Sequence, residues 1–309
     1  MSAITHVGFN AADFGLSGDL DGLDHRIAEQ VEMGATVCEI AAWRLDAVAA
    51  CRLIPNRVSA LKAVLQRHSI RYTMHAPIPV NLMDEAHFDL QYRAAEASLE
   101  LASECNADTV VFHPGRVHPS VWVDRSRQLL SREAEALAML GDRAASLGNV
   151  RIAYENMSPN RRIVAGTETS YALDLAALAN QLRTVNHERI VACLDVSHAK
   201  QGAGLQGYDL FEQVGQLAPF VGHIHFSDST GVPATMQWDN EGERLFYGVG
   251  DMHAPGGYGF IDFQRLAGVL SVREGTAVII ELRGNHYVHS GERVLEQAQD
   301  FASNVNRVQ

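Results

Sequence analysis

The sequence predicts a closed (β/α)₈ barrel, and three observations predict it. Short β-branched runs alternate with longer amphipathic stretches from end to end. Strict alternation of this kind requires parallel strands joined by right-handed crossovers. Eight units of each type fill the 309 residues, and no Gly-rich GxGxxG or GxxxxGK[ST] follows the first strand. That count favours a closed barrel over an open doubly wound sheet, and the missing loop removes the main support for a nucleotide cofactor.

In chain order, strands are expected at 4–10, 36–43, 70–76, 109–114, 150–156, 190–196, 221–227 and 277–283. The helices between them are expected near 22–34, 55–68, 87–105, 124–147, 171–185, 207–217, 262–273 and 290–307. Asp124, Asp262 and the Ser290/Arg293 pair read as N-terminal caps, and Gly34, Gly148 and Gly275 as stops. The long excursion 228–261, between the seventh strand and its helix, reads as a lid or site loop.

Composition fits one globular body. Hydrophobic residues make up 47% and charged residues 20% of the chain, which supplies a sizeable core and excludes global disorder. No linker, short-period repeat or low-complexity tract divides the chain, so residues 1–309 read as a single domain. A net charge of −12 argues against non-specific binding to nucleic acid or anionic lipid, though not against a local metal-lined cleft. No apolar run approaches a membrane span, and no basic-then-apolar leader opens the chain. Cys38, Cys51, Cys105 and Cys193 show no CxxC or paired spacing. A cytoplasmic protein with reduced thiols is the expectation.

The chemistry lies at the strand ends. In Val191-Ala192-Cys193-Leu194-Asp195-Val196-Ser197-His198 an apolar strand opens onto a carboxylate and an imidazole. Strand three likewise ends at His75, strand four at His113, strand five at Glu155, strand seven at His225 and strand eight at Glu281. The loop after strand seven adds Asp251 and His253. In a barrel these ends converge on one axis, so six consecutive strands present ionisable groups to a common centre. Carboxylates crowded there would raise one another's pKa values, and a divalent cation removes that cost. A metal site is therefore predicted.

Other residues keep two readings each. Glu39 on strand two is either a partner for a substrate hydroxyl or a paired core carboxylate. Arg116, Arg161, Arg162 and Arg283 are either ligands for a substrate phosphate or carboxylate, or solvated loop arginines. Trp43, Trp122, Phe226 and Trp238 could pack on the apolar face of a substrate or in the core. His223 shares a side of its strand with His225 and is expected one layer deeper.

The runs Met74-His75-Ala76-Pro77, Phe112-His113-Pro114-Gly115, Tyr154-Glu155-Asn156, Leu194–His198, His225-Phe226-Ser227-Asp228 and 250–262 closely resemble the xylose isomerase-like barrel superfamily, over essentially the whole chain. The superfamily includes sugar isomerases, sugar and sugar-phosphate epimerases, inosose-processing enzymes and endonuclease IV. For epimerase-like members the resemblance implies one Mn²⁺, Mg²⁺, Co²⁺ or Zn²⁺ on Glu155, Asp195, His225 and Glu281. It implies no nucleotide or organic cofactor, and a small sugar or sugar phosphate isomerised or epimerised through a metal-stabilised enediolate. Glu155 and Glu281 would share the acid–base work, with His198 on a substrate oxygen and His75, His113, Arg283 and Glu39 as further substrate contacts. A keto-polyol dehydratase or lyase would use the same enolisation. For endonuclease IV-like members the resemblance implies a multinuclear zinc phosphodiesterase, adding His75, His113, His198, Asp251 and His253 as ligands. Against that stand the acidic balance, the lack of a dense Lys/Arg cluster, and the lack of a stacking aromatic in Ala76-Pro77-Ile78-Pro79. The resemblance also implies a homodimer, for which Met33, Trp122 or the C-terminal helix could supply an interface.

Overall fold

A computed structural model describes residues 2–11, 18–236 and 238–309. Eight parallel strands close into a barrel: β1 (Ile4–Asn10), β2 (Val37–Ala41), β3 (Arg71–His75), β4 (Ala107–Phe112), β5 (Arg151–Glu155), β6 (Ile190–Asp195), β7 (Val221–Phe226) and β8 (Thr276–Ile280). They pair in sequence order, and β1 closes the ring by pairing with both β2 and β8. Every residue of β6 and β7 is buried, as expected of parallel strands covered by helices outside and filled by side chains inside. Alternation then divides the chain's work. Tyr154 joins the large core between strands and helices, whereas its neighbours Ala153 and Glu155 point into the barrel. Gly8 allows closure at β1–β2, because a Cβ there would lie 1.7 Å from the Val37 carbonyl oxygen.

The helices depart from expectation at their starts. The fourth begins at Pro119, with His118 Nδ1 accepting from Ser120 N–H, so Asp124 lies inside the helix and does not cap it. Proline favours the first helical position because its fixed φ suits the helix and its missing N–H costs nothing there. The last helix, Gly284–Val308, starts directly after Arg283 and leaves Ser290 in its interior. The helix expected at 207–217 is Leu210–Leu217, and an additional helix, Val196–Gln206, precedes it and springs straight from β6. Asp262 does cap Phe263–Val269, accepting from Arg265 N–H at 2.9 Å. Gly34 and Gly148 follow helix ends with positive φ, while Gly275 precedes β8.

The excursion 228–261 is folded and tied down. It holds a short helix, Glu241–Tyr247. The Asp228 carboxylate accepts from the backbone N–H groups of Ser229, Gly257, Gly259 and Ile261. Met33 and Trp122 pack against the core of their own chain. All four cysteines are free, and among the described residues no helix is long and apolar enough to cross a membrane.

Candidate metal centre

The end of β6 does two things at once. Asp195 Oδ1 accepts from His198 N–H at 2.7 Å and so caps the helix that follows. Its other oxygen, Oδ2, is buried with no hydrogen-bond partner among the described residues. His198 therefore sits in the first turn of a helix, with Nδ1 against Asn156 O at 2.9 Å and Nε2 3.3 Å from Asp251 Oδ2.

Three groups of ligand-type atoms meet at this end of the barrel. In the central one, His225 Nδ1 lies 3.1 Å from Glu155 Oε1, 3.5 Å from Glu281 Oε2 and 3.8 Å from Asp195 Oδ2. Four ligands about 2.1 Å from one tetrahedral cation stand about 3.4 Å apart, so this spacing fits a divalent ion. In the second, His75 Nε2 and His113 Nε2 lie 3.3 and 3.0 Å from Glu155 Oε2. In the third, Asp251 Oδ2 lies 3.3 Å from His198 Nε2 and 2.8 Å from His253 Nε2. Glu155 thus gives one oxygen to each of two groups. His253 holds a left-handed backbone, φ 45°, a strain that clusters at functional sites.

The charges explain why these groups can be buried together. Burial alone would raise the Glu155 carboxyl, but His225 and His113 overcome it and hold the group well below the usual range. Burial opposes a charged His198, yet Asp195 and Asp251 outweigh it and push the imidazole up to about 10. Burial also opposes charge on His225, which Cys193 and then Glu281, Glu39 and Glu155 raise well above its ordinary value. Asp195 is pushed up to about 7 by burial, reinforced by Glu155, Glu281 and Asp251 against the pull of His198. His113 goes down to about 4 through burial. A divalent cation would supply here the positive charge that the imidazoles otherwise provide to the carboxylates.

A further set of residues orients these groups. Glu39 is fully buried, with Oε1 3.1 Å from His225 Nε2 and Oε2 2.9 Å from His223 Nε2. Thr73 Oγ1 donates to Glu39 at 3.1 Å. Asn156 brackets Asp195, accepting from its N–H at 2.8 Å and donating to its carbonyl at 3.0 Å. Asn10 Nδ2 donates to Glu281 Oε1 at 2.6 Å. Sequence reasoning assigned no role to Asn10 or Asn156, although Asn10 ends β1 and the strand-end rule reaches it.

The groups open into a cavity of about 270 Å³ with Trp43, Ile78, Met157 and Leu282 as its apolar walls. Two expected substrate contacts do not reach it. Glu39 lies beneath His225, one layer down with His223, because it stands two residues before the end of β2. Arg283 turns away, its Nη2 donating to Asp251 O at 3.4 Å, and so supports the ligand loop. Phe226 packs on Phe263 and Phe301 in the core, and Trp122 stacks on Tyr171.

The family model described as a xylose isomerase-like TIM barrel matches residues 27–305. A curated relative, the "probable endonuclease 4" of Mycoplasma capricolum subsp. capricolum, is 26% identical over 209 residues, 64% of this chain. The chain spans about 62% of that relative's length. Among solved structures, a D-tagatose 3-epimerase-like protein aligns over 98% of this chain and 99% of its own, with a TM-score of 0.70 and 19% identity. The IOLI protein with a bound zinc atom aligns over 99% of both chains, with a TM-score of 0.67 and 17% identity.

Proposed function

The chain belongs to the xylose isomerase-like TIM barrel family, and from that premise we propose that it is a divalent-metal-dependent isomerase or epimerase of a small sugar or sugar phosphate. One observation carries the reading. Glu155, Asp195 and Glu281 each bring an oxygen within 3.1–3.8 Å of His225 Nδ1, against a cavity of about 270 Å³. A cavity just below the usual ligand-pocket range suits one small polyol. Mixed oxygen and nitrogen donors accept Mn²⁺, Mg²⁺, Co²⁺ or Zn²⁺.

When bound, the ion supplies Lewis-acid polarisation of a carbonyl and its neighbouring hydroxyl, and stabilises the charge that develops on them. Glu281 and Glu155 are the carboxylates that move the proton on the carbon beside that carbonyl. Asn10 fixes Glu281 through Oε1 and leaves Oε2 on the cavity side. His198, held through Nδ1 by Asn156 O, would offer Nε2, now 3.3 Å from Asp251 Oδ2, to a substrate oxygen. His75 and His113 line the same cavity and contact the substrate. A dehydratase or lyase of a related keto-polyol would use the same proton removal.

A second reading rests on the two flanking groups, His75/His113/Glu155 and His198/Asp251/His253. Filled together with the central group they would make a multinuclear phosphodiesterase, and the endonuclease 4 relative is similar over 209 residues. Two measurements separate the readings. One tightly bound ion per chain, with solvent deuterium entering a ketose or ketose phosphate in D₂O, supports enolisation. Three ions per chain with cleavage of an abasic-site oligonucleotide would overturn it. Within the first reading, Glu281→Gln abolishes deuterium entry, and retention of exchange would remove Glu281 from the proton-transfer role.

A further inference from the structure

We propose that the groove beside the metal cavity is a phosphate subsite built by Arg116, Arg161 and Arg162, which makes the substrate a phosphate monoester of a small polyol. The inference rests on the cavity being the reaction site. The groove holds about 540 Å³ and shares Ile78, Arg116 and Asn160 with the cavity, so the two volumes adjoin along these three residues. A phosphate in the groove would therefore lie beside a polyol held in the cavity.

Two of the three guanidiniums are held in place, and the third reaches a carboxylate of the groove itself. Arg116 Nη2 donates to Ile78 O at 2.9 Å and Val80 O at 3.4 Å, which fixes it where cavity and groove meet. The Arg161 guanidinium lies 3.8 Å from the centre of the Trp238 ring, held by its flat face. Arg162 Nη1 is 4.0 Å from Glu168, and its side chain is 79% exposed. Two carboxylates face the groove. Asp84 is already engaged by His87 Nδ1 at 3.0 Å and Gln91 Nε2 at 3.4 Å, and Glu168 by Asn160 Nδ2 at 3.4 Å. Three cations against two partly satisfied anions leave a positive pocket on a chain whose net charge is −12. Several guanidiniums match the oxygens of a phosphate dianion better than they match one carboxylate.

The test measures binding of inorganic phosphate to the intact protein, loaded with Mg²⁺ and then stripped with EDTA, by isothermal titration. The wild type is expected to bind one phosphate in both states. Arg161→Gln/Arg162→Gln is expected to weaken binding at least tenfold, and Arg161→Lys/Arg162→Lys to stay within threefold. Both residues are on the surface, and circular dichroism checks that the variants fold. Phosphate binding that disappears with the metal, that survives the Gln pair, or that acetate displaces at equal concentration would overturn the proposal. None of these outcomes depends on turnover. Failure here therefore leaves the isomerase reading to be judged by metal count and deuterium exchange.

Discussion

The imidazole of His225 is held from below by Glu39: Nε2 lies 3.1 Å from Glu39 Oε1, while Nδ1 faces Glu155, Asp195 and Glu281. A carboxylate behind a ligating histidine sets its tautomer and ring orientation and raises its basicity. Glu39→Gln is therefore expected to lower metal affinity about 10–100-fold with the barrel intact. A competition titration against a chromophoric chelator reads this directly, and an unchanged constant would reduce Glu39 to a core carboxylate.

The metal ligands differ in what their loss should do. Asp195→Asn removes the one buried ligand oxygen without a hydrogen-bond partner among the described residues, and should abolish tight binding of the central ion. His75→Ala/His113→Ala should leave one ion per chain in the proposed enzyme, because neither residue belongs to the central group. Elemental analysis after gel filtration gives the stoichiometry.

Acidity should act in opposite senses on the metal-free and metal-loaded protein. His198 is pushed up to about 10 in the metal-free fold, above its unfolded value. Its contribution to stability is fully present below about pH 6.5 and is lost as pH rises towards 10. The imidazole of the ligand His225 is likewise raised well above its ordinary value and must lose its proton to hold the ion, so metal affinity should fall as pH falls, with proton release on binding. Titrations in two buffers of different ionisation enthalpy count the protons; zero release would contradict the assignment.

Glu133 supports the site from outside the barrel. Its buried carboxylate accepts from Tyr154 OH at 2.6 Å, Tyr171 OH at 2.7 Å and Gly115 N–H at 2.7 Å. Tyr154 precedes Glu155, and Gly115 lies two residues past His113. Glu133→Ala should cost about 3 kcal/mol or more in urea unfolding, since it leaves several buried donors unsatisfied. Metal affinity should weaken with it.

The loop that carries Asp251 and His253 is pinned by the four backbone N–H groups that Asp228 accepts. Asp228→Ala should destabilise the protein by about 2–4 kcal/mol, seen as a lower Tm. Amide exchange at 250–261 should accelerate selectively.

How much of this was legible in the sequence follows from two periodicities. Strands buried on both faces read as apolar runs, and the polar residue that breaks each run marks its open end. The barrel and the ligand-type residues from His75 to Glu281 could therefore be found by reading alone. Depth could not. A period of two says which side of a strand a residue faces, but stagger between tilted strands decides its height in the barrel. Only the closed structure places Glu39 beneath His225 instead of in the cavity, and divides nine ligand-type side chains into three groups, two of which share Glu155. Only packing turns Arg283 towards the Asp251 carbonyl and starts a helix on Asp195. These outcomes depend on contacts between residues far apart in the chain, such as Glu39 with His225 and Asn10 with Glu281, and no local pattern encodes them.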